Sequence, residues 1–232
     1  MRLNAAVKLK ILFVLILMSI LLCGCSAEPT ELSDRLAVGL ISVDYYDGQY
    51  LVSIACLDPQ AGSAEGKTIG LQYFEASGEF LDDAFERLDE ITSRRLFYGH
   101  SAGLVVSRDA AQHKLPETLH YFVKDFRTRL GLYVFLSEGS AGGLLRLKTV
   151  HKALAVGAIE TLSENADNGG YELAPLFKLA AYLSDDGRRV SVPLVSSRPA
   201  EATGVEGEVF EVYVAGEIGI EHKGGLMYNQ TE

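Results

Sequence analysis

Tryptophan is absent from the 232 residues, cysteine occurs three times and proline six times. Three cysteines, two of them only two positions apart (Cys23 and Cys25), cannot form the disulfide framework of a small exported domain. Basic residues are in deficit, with 21 Lys+Arg against 31 Asp+Glu and a formal charge of −10. A body of that sign repels nucleic-acid phosphates and anionic lipid, which argues against nucleic-acid binding. No apolar run reaches the roughly 20 residues of a membrane-spanning helix. Repeats and low-complexity tracts are missing too. What remains, 48% hydrophobic and 22% charged residues, is the profile of a globular protein, one domain of about 180 residues or one plus a small appendage.

The longest apolar run is Ile11 to Leu22, twelve residues preceded by Arg2, Lys8 and Lys10. That order, basic then apolar, is a signal peptide over residues 1–24. Leu22-Cys23-Gly24-Cys25 closes it with the pattern of a bacterial lipobox: an aliphatic residue at −3, a small one at −1, then the cysteine that takes the lipid. Cys23 is the poorer candidate because bulky Leu22 would precede it. The expected modification is a diacylglyceryl group on Cys25. Each buried methylene contributes roughly 0.8 kcal/mol, so two acyl chains hold where one is marginal. Cleavage leaves 18 basic against 31 acidic residues, a formal charge of −13. Only Cys56 then keeps a free thiol. It lies in an alternating, strand-like stretch and reads as a small core residue.

Residues 25–35 are a polar, lipidated linker. Leu36 to Tyr45 and Gln49 to Leu57 are β-rich runs around Tyr46-Asp47-Gly48, a strong hairpin signal. Thr68 to Ala76 is a third strand. Ser77 can cap a helix from Glu79 to Arg94 with an apolar face of Phe80, Leu81, Ala84, Phe85, Leu88 and Ile91. Leu96 to Val106 is a strand. A short helical stretch follows Ser107, and Pro116 starts another helix to Phe126. Gly131 to Leu136 is a strand; 141–148, 153–164 and 173–183 are helices; Val190 to Val195 is a strand. Val209 to Val214 and Gly216 to Glu221 form a closing hairpin around Ala215-Gly216. The fold class is α+β (mixed α/β): a central mixed sheet with terminal hairpins, flanked by amphipathic helices. Residues 36–185 form the main domain and 186–232 a small β-rich segment.

Several motifs invite chemistry. Gly99-His100-Ser101-Ala102-Gly103 matches G-x-S-x-G, the nucleophile elbow, which needs a strand, a sharp turn at the serine and then a helix. Here Leu104-Val105-Val106 follows and prefers an extended chain, which puts Ser101 and His100 on alternate faces of a central strand. His151, His222, Asp185 and Asp186 could complete a triad only on paper, and no HGGG-type segment lies upstream. His113, Glu117 and His120 lose a shared metal-binding register if Pro116 begins a new helix. Glu138 to Gly143 is a glycine-rich strand-to-helix turn of the kind that binds phosphate, but it lacks the lysine of a P-loop. Asp82-Asp83 and Asp185-Asp186 read as solvated pairs.

The order of segments resembles the N-terminal part of the Ger(x)C lipoproteins, the C subunits of spore germinant receptors. The resemblance runs through Gly24-Cys25, Glu31-Leu32, Val38-Gly39, Asp44 with Asp47-Gly48 and Tyr50, and Gly66-Lys67-Thr68. Its most specific stretch is Arg94-Arg95-Leu96-Phe97-Tyr98-Gly99-His100. Leu119 to Arg129, Val192-Pro193-Leu194, Gly207 to Phe210, Gly216 to Gly219 and Gly225 to Tyr228 continue it. The family usually carries Trp-Asp after the lipid cysteine; here Ser26-Ala27-Glu28 stands. It also continues into a large C-terminal domain, about where this chain stops at Glu232. The resemblance implies a non-enzymatic receptor or scaffold subunit in spore germination, anchored through Cys25 on the outer face of the spore inner membrane beside integral membrane subunits. It implies no catalytic residue, cofactor or metal. The alternatives are a lipid-anchored solute-binding protein and a serine hydrolase using Ser101.

Overall fold

The computed structural model describes residues 35–58, 70–125, 127–149, 155–184, 190–200, 208–220 and 226–229, with Lys10, Leu12 and Phe13 near the N-terminus. The chain divides into two compact units, residues 1–34 and 35–232. In the first, the three described residues are helical. The second is built on one mixed sheet. Among the described residues no helix is long and apolar enough to cross a membrane.

The sheet begins with β1 (Arg35–Tyr46), β2 (Gln49–Asp58) and β3 (Gly70–Gly78), an antiparallel meander. Asp47 and Gly48 have φ of 50° and 77°. Two consecutive positive φ values make the two-residue turn whose twist matches that of the strands it joins, so the Asp-Gly signal forms the hairpin expected of it. Next come α1 (Leu81–Ile91), β4 (Arg95–Phe97), β5 (Gly103–Ser107), α2 (Arg108–Lys124) and β6 (Tyr133–Ser137). Four short pieces follow: α3 (Ala141–Leu145), α4 (Ala155–Glu164), α5 (Ala166–Gly169) and β7 (Ala174–Pro175). Then come α6 (Leu176–Ser184), β8 (Val190–Ala200), β9 (Val209–Ile220) and β10 (Leu226–Asn229). Strand order is β10-β9-β8-β6-β5-β1-β2-β3, with β4 beside β1 and β7 beside β6. The four central strands, β8, β6, β5 and β1, run parallel, and antiparallel strands extend both sides. The segment after residue 186 supplies β8, β9 and β10 to this same sheet.

Central strands are buried on both faces, which is why β5 reads as an unbroken apolar run. On one face α1, α2 and α6 cover Leu36, Val38, Ile41, Leu104, Val134 and Leu194. On the other, α3 and α4 cover Leu40, Val105, Phe135 and Val195. Helices and strands follow one another without strict alternation, with strands consecutive at both ends of the chain, and the α+β reading with a mixed sheet stands.

Four local expectations are corrected. Ser77 lies in β3, and the N-cap of α1 is instead Phe80, whose N–H donates to the Asp83 carboxylate at 3.1 Å. Pro116 sits inside a single continuous helix, α2. Ala215-Gly216 is no turn: β9 runs through it, and the register against β8 slips between Leu194 and Val195, leaving Ala215 as the extra residue of a bulge. The strand expected over Leu96 to Val106 breaks into β4 and β5, with a turn at Gly99-His100.

Candidate functional site

Ser101 lies in that break. Its residue is fully buried, and its Oγ is within reach of two backbone carbonyls, Val38 O at 2.9 Å and Tyr98 O at 3.0 Å. The Ser101 and His100 pair therefore does not alternate across a strand, as expected, but occupies the loop between β4 and β5. β1 carries a bulge between Val38 and Leu40 in its pairing with β2, at the level where its parallel partner changes from β4 to β5. The Ser101 hydroxyl and the Ala102 N–H, which donates to Gly39 O at 2.7 Å, supply the bonds that the ladder loses. A nucleophile elbow presents its Oγ to a cleft; this one is spent on the backbone. The His100 ring packs edge-on against Phe97 at 5.5 Å between centroids.

The glycine-rich turn before α3 is a real donor site, and the protein fills it itself. Ala141 N and Gly142 N donate to the two carboxylate oxygens of Asp44 at 2.9 and 2.8 Å, and Ser140 Oγ donates at 3.2 Å. Ser140 Oγ also accepts from Gly143 N at 3.0 Å, capping the helix. An anion at a helix N-terminus is favourable, and here the anion-binding groups hold a side chain from the end of β1. Gly142 permits the approach: a Cβ there would come within 2.8 Å of Ser53 Oγ. Beside it, Glu75 accepts from Ser53 Oγ at 2.8 Å and from Arg146 at 2.6 Å. Burial alone would raise the Glu75 carboxyl, but the hydrogen bonds from Arg146 and Ser53 outweigh it and hold it below its usual range. Asp44 escaped attention as a functional position in sequence; the tell was a carboxylate ending an otherwise apolar strand.

A second polar node joins the two stretches that carried the family resemblance. Arg127 donates to Asp125 at 3.0 Å, Asp89 at 2.9 Å and Tyr121 Oη at 3.3 Å. Its guanidinium lies over the Tyr98 ring at 5.3 Å and the Phe85 ring at 5.7 Å. Burial works against the charge of Arg127, but the bonds and charge of Asp125 more than compensate and raise its pKa. Arg129 reaches Ser101 O at 3.1 Å, and Arg94 pairs with buried Asp58 at 2.6 Å. The Tyr98-Gly99-His100 turn is thus clamped from α1 and from the segment after α2.

An open groove of about 820 Å³ lies between the start of α1 and the second half of α2. Tyr50, Leu81 and Tyr121 line its base, with Glu79 and Asp82 on the α1 side and Lys114, His120 and Lys124 on the α2 side. Burial, reinforced by the Glu117 carboxylate, pushes the Tyr50 phenol up to about 12. Because α2 is continuous, His113, Glu117 and His120 do share one helical face, against expectation. Even so, His113 Nδ1 sits 2.8 Å from Asp109 O, Glu117 pairs with Lys114 at 3.8 Å, and among the described residues no group of three His, Cys, Asp or Glu could hold a metal. Cys56 is buried, and burial raises its thiol to about 12, a core residue as expected and a poor nucleophile. Cys25, His151, Asp185, Asp186 and His222 lie outside the described residues.

No curated protein and no solved structure matches the chain. The family model described as "Spore germination protein N-terminal domain" matches residues 28–197, which take in both polar nodes, the groove and the sheet as far as β8. With most of its length so matched, the chain belongs to the spore germination protein N-terminal domain family.

Proposed function

We propose that the protein is a lipid-anchored, non-enzymatic subunit of a nutrient germinant receptor. It is held through a diacylglyceryl group on Cys25 to the outer face of the spore inner membrane, beside integral membrane subunits. The family match over residues 28–197 carries this reading. The lipobox at Leu22 to Cys25 supports the anchor. Burial of Ser101 and the self-filled turn before α3 support a role in assembly rather than catalysis. Residues 35–232 form one compact unit, which fits a scaffold better than the two comparable lobes of a solute-binding protein.

The test is fractionation of spores carrying Cys25→Ala. The substituted protein is expected to keep its leader or leave the membrane fraction, to lose the diacylglyceryl mass from its N-terminal peptide, and to lose co-purification with polytopic partners. A wild-type protein whose N-terminal peptide carries no lipid would refute the anchor. Wild-type membranes from which it never co-purifies with polytopic proteins would refute the receptor role.

A further inference from the structure

The parallel strands β1, β5, β6 and β8 all start at one end of the sheet. β4 lies beside the first residues of β1 there, with Arg35 paired to Arg95. At this end Leu130 is 49% exposed and Phe177 56%. The two are neighbours, since Phe177 N donates to Leu130 O at 3.0 Å. Single apolar side chains scattered over a surface need no explanation, but these stand together beside exposed cations, Arg35, Arg95, Arg129 and Lys178. Arg129 reaches Ser101 O at 3.1 Å and so ties the Leu130 loop to the β4 side. Arg94, Arg127 and Lys178 are matched by Asp58, Asp89 with Asp125, and Glu172. Among the described residues Arg95 and Arg129 are in no ion pair. The exposed acids Glu164 and Asp167 come at and just after the end of α4, which covers the opposite face of the sheet from α6. The other end of the strands carries Asp47, Glu79, Asp82 and Glu138, all exposed. Its own exposed aromatics, Tyr46 and Phe80, stand among those carboxylates.

We propose that the end where the parallel strands start docks on an anionic phospholipid surface, Leu130 and Phe177 entering the headgroup layer and Arg95 and Arg129 meeting lipid phosphates. The inference rests on the lipid anchor at Cys25 proposed above. Chain length selects this end. Cys25 and Arg35 are ten residues apart, and a fully extended chain at about 3.6 Å per residue reaches roughly 36 Å. β1, with twelve residues at about 3.3 Å each, is itself roughly 40 Å long. An anchor at Cys25 therefore lets the strand starts meet the bilayer with chain to spare, whereas the far end lies beyond a fully stretched tether. Charge selects the same end. Cations near an anionic surface are attracted and carboxylates repelled, so an acidic body turns its arginines, not Asp47, Glu79 and Asp82, toward the lipid. Apolar side chains between basic ones are what an interfacial contact requires, the first entering the acyl boundary and the second staying with the phosphates.

The chain holds no tryptophan, so a single introduced one reports its own surroundings. Phe177→Trp and, at the far end, Phe80→Trp are compared on vesicles of equal parts phosphatidylglycerol and phosphatidylcholine. Each protein is anchored by its natural lipid. In a parallel sample the chain from Cys25 onward is coupled through that thiol to a maleimide phospholipid; Cys56 is buried and does not compete. Phe177→Trp is expected to shift its emission to the blue on the vesicles and to be quenched by lipids brominated on their acyl chains. Phe80→Trp is expected to show neither change and to remain open to aqueous iodide. Adding Arg95→Gln to Phe177→Trp should lower the docked-to-undocked ratio, read from that quenching, roughly fivefold. On vesicles of phosphatidylcholine alone the same substitution should change nothing. Thermal unfolding confirms that each variant keeps its fold. A tryptophan at 177 as wet on vesicles as in solution overturns the proposal, as would equal quenching at 80 and 177, or an Arg95→Gln effect indifferent to lipid charge. Failure of the anchor is read apart from these: a natural N-terminal peptide without lipid refutes it, while the maleimide-coupled chain still decides the docking face.

Discussion

Burying a carboxylate is costly unless donors surround its oxygens. Asp44 is 5% exposed and accepts from Ala141 N, Gly142 N and Ser140 Oγ. The two backbone N–H groups are orphans of the α3 N-terminus, with no partner inside the helix. Asp44→Ala would leave both buried and unsatisfied, and each such group costs roughly 1–3 kcal/mol. We expect a loss of about 2–4 kcal/mol, read as a lower urea midpoint at unchanged slope. Asp44→Asn keeps one acceptor oxygen and should lose about half as much. A full-stability Asp44→Ala protein would mean that water reaches the α3 amides and that the carboxylate is incidental. In sequence, the donors were visible as a glycine-rich turn. Their recipient lies ninety-six residues from Ser140, and nothing local links the two.

At the scale of elements, α2 persists through Pro116. Proline removes the bond to the Gln112 carbonyl and its ring crowds that carbonyl, at a cost near 3 kcal/mol in a helix interior. The helix survives because Ala110, Ala111, Leu115, Leu119 and Phe122 are all buried against one sheet face, on both sides of the proline. Packing outweighs the local rule, which is why the split helix read from sequence was wrong. Pro116→Ala should restore the bond. The unfolded chain gains freedom worth roughly 0.4–1 kcal/mol, so the net stabilisation expected is about 1–2 kcal/mol. A fall in the denaturation midpoint would show instead that the ring itself fills space the methyl cannot. The same contest explains Ala215-Gly216, where both flanking runs are claimed by β8 and a turn signal becomes a bulge. Where local and tertiary demands agree, as at Asp47-Gly48 or at Leu81, Ala84, Phe85 and Leu88 of α1, the sequence was legible, whereas Phe80 and Ile91, expected on the same face, are exposed. The break at Ser101 was not legible, because it lies against the bulged stretch of β1, and its Val38 partner is 63 residues away in sequence.

For the whole molecule, the groups with resolved shifts set limits on both sides of neutrality. Glu75 is depressed, so its contribution is present above the unfolded carboxyl value and is lost as the pH falls through its folded one. The larger effect lies on the alkaline side. Burial raises Cys56 from 9.0 to about 12 and Tyr50 from 10.0 to about 12, and raises Tyr98 further still. Half-buried Tyr121 shifts the same way. In each case the unfolded chain releases its proton first, so stability is whole below pH 9 and falls as pH rises toward the folded values. Cys56, Tyr50 and Tyr98 together can set a slope of up to about 4 kcal/mol per pH unit once all three differ between the states. Growing negative charge on an already acidic body adds repulsion in the same direction. We therefore expect a cooperative alkaline transition between about pH 10 and 12. Loss of far-ultraviolet ellipticity should coincide with a step in phenolate absorbance, because the buried tyrosines can ionise only as the fold opens. All eleven tyrosines titrating smoothly near their ordinary value in a protein that stays folded would show that Tyr50 and Tyr98 are open to water, and the packing of α1 and α2 on the sheet would have to be redrawn.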